Sequence, residues 1–272
     1  MASGRAVRDV VAVDWSGARS RAGRTMWLAH ARDGILVSLR NGLDRAAVVH
    51  AVQDLAAGAE GGVVAGLDFA FSLPAWFLET RGYTEVGELW AAAAAEGEQW
   101  LAACSPPFWG RPGRRRPVLP AHLRRCEESA RVGGIAAKSA FQIGGAGSVG
   151  TGSIRGMPYL SALRAVGFAV WPFDPPGDHT VVEIYPRLLT GRVRKRNPQG
   201  RAQYVARGTW ALSRAQLDAV GASEDAFDAA ISALAMAARV DELDQLSPTT
   251  DPVALLEGDI WPPPGAAGAA AS

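Results

Sequence analysis

Two short apolar runs, each stopping on an aspartate, most constrain what this chain can fold into. "VVAV" from Val10 to Val13 ends at Asp14, and "VVAGL" from Val63 to Leu67 ends at Asp68. Apolar runs of this length closed by turn residues read as buried strands. Between them, "TMWLAHARDGILVSL" holds two apolar runs joined through Asp33-Gly34, a strong hairpin signal. "LDRAAVVHAVQDLAAGAE" then places apolar residues at helical spacing from Ala46 to Ala56. The order is strand, strand, strand, helix, strand, and the first three strands form an antiparallel meander. A right-handed crossover through the helix lays the fourth strand parallel to and beside the first. Asp14 and Asp68 then meet at one edge of the sheet.

Beyond Pro74 the pattern changes. Helical stretches around Trp76 and from Glu85 to Ala103 lead into a Pro/Arg-rich loop, "SPPFWGRPGRRRPVLP". This segment, about 74–137, reads as an insertion and as the least fold-determining part of the chain. "MPYLSALRAVGF" is an amphipathic helix, and "TVVEIYPRL" is a fifth strand with Glu183 inside an apolar run. "SEDAFDAAISALAMAARV" is the last strong helix, with Ser223 as its N-cap and acids in its first turn. The expected fold is α/β: a mixed five-stranded sheet flanked by helices, with a helical/loop insertion after strand four. A single domain spans 8–245. Residues 246–272 form an extension whose tail, "WPPPGAAGAAAS", reads as disordered.

Hydrophobic content of 48% supplies a core and excludes a disordered chain. No apolar run approaches the ~18–20 residues that span a bilayer, and the start lacks the pattern of a signal peptide. The expectation is no membrane and a cytoplasmic protein, with Cys104 and Cys126 as free thiols. His30, His50, His122 and His179 show no ligand spacing, and Ser16 in "DWSG" sits on no nucleophile elbow.

The net charge of +1 hides a concentration of cations. From Arg111 to Arg131 seven arginines face only Glu127 and Glu128, and from Arg192 to Arg207 five arginines and Lys195 face no acid. Clustered arginine neutralises nucleic-acid phosphates, which makes Arg114, Arg115, Arg116, Arg194, Lys195 and Arg196 candidate substrate contacts. A solvated loop in an arginine-rich chain is the competing account. Trp109, among the arginines, either stacks on a base or anchors its own loop.

The acids are more specific as a set than singly. Asp14 and Asp68 end strands, Glu183 interrupts one, and Asp225 and Asp228 lie one turn apart on the last helix. A lone strand-end aspartate is often a turn former, and Asp225 alone serves a helix dipole. Several converging carboxylates need cations, and oxygen-only ligands suit two Mg²⁺ or Mn²⁺ ions, the device of phosphodiester cleavage. On this reading Asp14, Asp68, Glu183 and Asp228 are the catalytic set.

"VAVDWSG", "GLDFAFSLP", "VWPFD", "VVEIYP" and "DAFDAAISALA" resemble the family called domain of unknown function 429, described as predicted nucleases of ribonuclease H-like fold. The likeness runs from about Val10 to Val240 and is weakest across the insertion. "EDAFDAAISALA" is also similar to the last helix of Holliday-junction resolvases, which carries a pair of metal-binding aspartates. The resemblance implies metal-ligand roles for Asp14, Asp68 and Asp228, with Glu183 and Asp225 as further candidates. Ribonuclease H proper places a glutamate on the first helix; here that helix offers Asp44, Asp54 and Glu60, and Glu183 is the substitute.

"IGGAGSVGTGS", from Ile143, contains G-x-G-x-x-G at Gly145, Gly147 and Gly150. A dinucleotide fingerprint requires a buried strand leading into the first glycine, and "AAKSAFQI" is a poor strand. With a helix from about Met157, the run reads instead as a loop beside the acidic site. There its N–H groups, with Lys138 and Arg155, hold a phosphate, or it is a plain linker. The functional expectation is a divalent-metal-dependent nuclease acting on DNA or RNA. The alternatives are a non-catalytic nucleic-acid-binding module on the same fold and, more weakly, a nucleotide-binding phosphotransferase.

Overall fold

The meander forms on the expected turn. In the computed structural model, which describes residues 6–132 and 134–262, β1 (Val7–Asp14) pairs antiparallel with β2 (Trp27–Arg32), and β2 with β3 (Ile35–Asn41). Asp33 and Gly34 close the hairpin at φ 49° and 78°, the left-handed pair that a type I′ turn needs. Asp44 caps α1 (Arg45–Ala57) through the Ala47 N–H at 2.9 Å. The crossover then sets β4 (Gly62–Leu67) parallel to β1.

The segment after β4 is no appendage. It contributes α2 (Ala75–Thr80), α3 (Val86–Ala103), α4 (Arg125–Ser129) and a small hairpin of β5 (Arg131–Val132) and β6 (Ile135–Ala136). Leu78, Leu89, Trp90 and Trp100 of α2 and α3 share one core with Val11, Val13, Ala65 and Leu67 of the sheet. The expectation of a segment marginal to the fold is corrected: its aromatics join Val48, Val49 and Val52 of α1 in the core on one face of the sheet.

Downstream, α5 (Gly150–Ala165) precedes β7 (Ala169–Val170) and β8 (His179–Glu183). The sheet therefore has six strands, in the order β3-β2-β1-β4-β8-β7, and not five. The extra strand is two residues long. Pro172 follows it closely with no N–H to donate, and the Asp174 carboxylate takes the Val170 N–H at 2.8 Å. α6 (Pro186–Thr190), α7 (Pro198–Arg207), α8 (Arg214–Ala222), α9 (Glu224–Ala237), α10 (Val240–Asp244) and α11 (Ala254–Glu257) complete the chain.

Side chains alternate across the strands. Val11, Val13, Leu67 and Val181 face the aromatic core, whereas Val10, Ala12, Val64, Val182 and Ile184 face α9. Trp261, expected in a disordered tail, is 1% exposed in the α9-side core and bridges Ile184. Burying its indole fixes the extension to the sheet, and the rest of the expected tail, 263–272, lies outside the described residues.

Candidate functional site

Strand register brings the first two acids together. Val13 of β1 lies beside Leu67 of β4, and the Asp68 N–H donates to the Val13 carbonyl at 3.1 Å. Asp14 continues the β1 alternation that turns Ala12 towards α9, and Asp68 continues that of Val64. α9 starts where expected: Ser223 Oγ accepts from the Ala226 N–H at 3.2 Å. Ala226, Ala229, Ala230 and Ala233 are all buried, so the helix lies close to the sheet. Asp228, in its second turn, is 4% exposed.

The three aspartates are electrostatically joined. Burial pushes the Asp14 carboxyl well above the usual carboxylate range, and repulsion from Asp68, Asp228 and Asp225 adds to it. Burial and Asp228 raise Asp68 to about 8. Burial raises Asp228 to about 6, against the pull of Lys195. Asp225 is half-buried and also raised, first by burial and then by Glu224; its charge acts on the other three from the rim.

One cation stands among them. Lys195 Nζ donates to Asp228 Oδ2 and lies 3.7 Å from the Glu224 carboxylate. Lys195, expected as a phosphate contact between Arg194 and Arg196, instead has its ammonium drawn inward by Asp228 and Glu224. Asp228 Oδ1 is buried with no hydrogen-bond partner among the described residues. No donor among them reaches the side-chain oxygens of Asp14 or Asp68.

These donors suit a hard divalent cation in kind: all are carboxylate oxygens, and one is buried and unsatisfied. As placed, no three acidic, histidine or cysteine side chains among the described residues stand together closely enough to hold a metal ion. Asp228 is engaged by Lys195 instead.

Glu183 does not join the set. Leu67 and Glu183 are register partners, so Glu183 points to the aromatic face, opposite to Asp14 and Asp68. There it is 3% exposed, accepts the Phe71 N–H at 2.8 Å and receives both Arg124 Nη1, at 2.8 Å, and Nη2. Burial raises its proton affinity, and the Arg124 guanidinium opposes that rise. The expectation of a metal ligand is corrected to a buried ion pair, because strand alternation turns the carboxylate away. Arg124 also binds Glu127 at 3.0 Å and the Glu257 carbonyl at 2.9 Å. Nothing in the sequence around Arg124 announces this role.

The remaining cations divide. Arg114, Arg115, Arg116, Arg194, Arg196 and Lys138 are exposed. Arg155 is not free for phosphate: it pairs with Glu98 at 2.6 and 3.0 Å and donates to the Gly17 carbonyl. Arg201 is buried and donates only to carbonyls, those of Val220, Lys195 and Gly221. Arg116 lies over Trp109 at 5.7 Å. Trp109 is itself pinned through its backbone to Phe141 and Ile143 at 3.1 and 2.9 Å, the anchor of its own loop.

The glycine run is explained by close packing. A Cβ on Gly144 would sit 2.5 Å from the Gly110 carbonyl, and one on Gly17 2.7 Å from the Gly152 nitrogen. α5 begins at Gly150 and not near Met157, so the third glycine of the motif is already helical and the run joins helix to strand ends. Lys138 lies beside Gly147.

Comparison with models of protein families, with curated proteins and with solved structures finds no match to this chain. Among the described residues no helix is long and apolar enough to cross a membrane.

Proposed function

We propose that the chain is a divalent-cation-dependent hydrolase of nucleic-acid phosphodiesters, built on a ribonuclease H-like fold and belonging to the domain of unknown function 429 family. The observation that carries this reading is the mutual repulsion of Asp14, Asp68 and Asp228, borne on three elements, without enough positive charge to offset it. Clustered carboxylates that lower stability are characteristic of sites kept for binding or catalysis. Two Mg²⁺ or Mn²⁺ ions, when bound, would supply an activated water and a stabilised leaving oxygen. Asp14 and Asp228 would hold them, Asp68 would complete the set, and Asp225 would tune it from the rim. The exposed Arg114, Arg115, Arg116, Arg194 and Arg196 would follow the phosphate backbone. Asp14→Asn should lower Mn²⁺-dependent cleavage of DNA or RNA by roughly 10⁴-fold, with the fold intact by circular dichroism. Undiminished turnover in that variant sinks the mechanism.

One observation favours a second reading, a binding module without turnover. Lys195 already offsets part of the charge on Asp228, while Arg114, Arg115, Arg194 and Arg196 are exposed to solvent, where a phosphate could reach them. That reading expects salt-sensitive nucleic-acid binding indifferent to Asp14→Asn and no cleavage by the wild type.

A further inference from the structure

Lys195 is held in the acidic site by more than its own ion pair. Its carbonyl accepts from Arg201 Nη1 at 2.5 Å, and Arg201, 3% exposed, also donates to Val220 at 2.9 Å and to Gly221. A buried guanidinium spent wholly on three carbonyls fixes the loop between α6 and α7 to the end of α8. It thereby sets where the Lys195 side chain starts. The residue type is also selective. Only Lys138 and Lys195 among the 28 basic residues are lysines, and Lys195 stands between Arg194 and Arg196. Lysine carries a compact charge on a flexible stem that can leave one partner for another, unlike the fixed fork of arginine. Its partner Asp228 keeps one oxygen buried and unpaired, so the pair satisfies only half of that carboxylate.

We propose that Lys195 is a resident counter-cation that competes with the divalent ion for Asp228 and must swing off it before the metal site forms. This inference rests on the metal-dependent reading of the acidic site. As placed, the ammonium holds Asp228 Oδ2, and no three acidic side chains among the described residues stand closely enough together for a metal ion. Once displaced, the ammonium stays tethered beside the site, where a phosphate is its natural new partner. Lys195 is a positioning residue in this scheme, acting through Asp228.

Calorimetric titration of Mn²⁺ into the full chain tests it. Lys195→Met should bind Mn²⁺ at least about tenfold more tightly than wild type, and Lys195→Arg, which keeps the charge, should not share that gain. Equal affinity in wild type and Lys195→Met overturns the proposal and leaves the metal reading standing. Absence of binding in both overturns the two together. Tighter binding with no cleavage of any nucleic acid supports the counter-cation and removes the nuclease. Should Lys195→Met fail to fold, amine acetylation of the wild type read by mass spectrometry decides, with exposed Lys138 as internal reference. Saturating Mn²⁺ should speed modification of Lys195 several-fold and leave Lys138 unchanged; an unaltered Lys195 rate overturns the proposal.

Discussion

Two acidic centres lie back to back at the same end of one sheet, and they are built on opposite principles. On the aromatic face, Glu183, Glu127 and Glu257 surround Arg124, and each carboxylate also takes a backbone N–H: from Phe71 at 2.8 Å, from Arg124 at 3.0 Å, and from Ala75 and Arg125 at 2.8 Å each. On the α9 face, Asp14, Asp68 and Asp228 repel one another, and Lys195 meets only the last. The first centre brings its own cation and donors, and ties the C-terminal extension to α2 and α4. The second leaves its charge open to a cation from solution. Burial alone does not separate a structural acid from a functional one; what separates them is whether the chain has already satisfied the acid.

Removing one charge from each centre should therefore move stability in opposite directions. Glu183→Gln strips Arg124 of its main counter-charge inside the protein, and breaking a buried pair from one side costs about 3–5 kcal/mol. Urea unfolding at pH 7 measures it; a loss below about 1 kcal/mol would show that the pair is not the clamp described. Asp68→Asn removes a repelling charge and should stabilise the metal-free chain by about 1–2 kcal/mol at pH 8 in EDTA. If Asp68→Asn destabilises as Glu183→Gln does, the contrast between the two centres is wrong.

The contrast also has a pH signature. Asp68 at about 8 and Asp228 at about 6 stand above the usual carboxylate value of 3.8 in the folded chain. Between roughly pH 4 and 8 the folded state then binds more protons than the unfolded one, so metal-free stability falls as pH rises through that window. The expected fall from pH 5 to 8.5 is at least about 1 kcal/mol, and it should be shallower in Asp68→Asn. Parallel pH courses for the two proteins would remove Asp68 as its source.

The α9-side centre was legible in outline because its members mark element ends. Asp14 and Asp68 each terminate an apolar run, and Asp228 follows a capped helix start, all of them local signals. Glu183 shows equally strong local character, but its face depends on register: pairing with Leu67 turns it away from Asp68. A single sequence gives no register between parallel strands. Arg124 was illegible for a related reason, since it reaches Glu183 across 59 positions from an irregular loop. From sequence α5 is expected only from about Met157, because glycines and Pro158 argue against helix by propensity. Packing on Gly17 and Phe69 overrides that preference, as the close approaches of Gly152 and Gly156 make plain.

The weakest expected effect concerns the arginines, and it separates two roles within a single segment. Arg124 is 1% exposed and spent on Glu183 and Glu127, whereas Arg114, Arg115 and Arg116 face solvent. Each exposed arginine that meets a phosphate releases about 0.7–0.9 counterions. Replacing the three with alanine should leave the unfolding midpoint in place and lower the slope of log affinity against log salt by about 2–3. Fluorescence anisotropy with a labelled oligonucleotide across a salt series reads the slope. An unchanged slope would make the loop a solvated surface, and the phosphate track would then fall to Arg194 and Arg196 beside the acidic site.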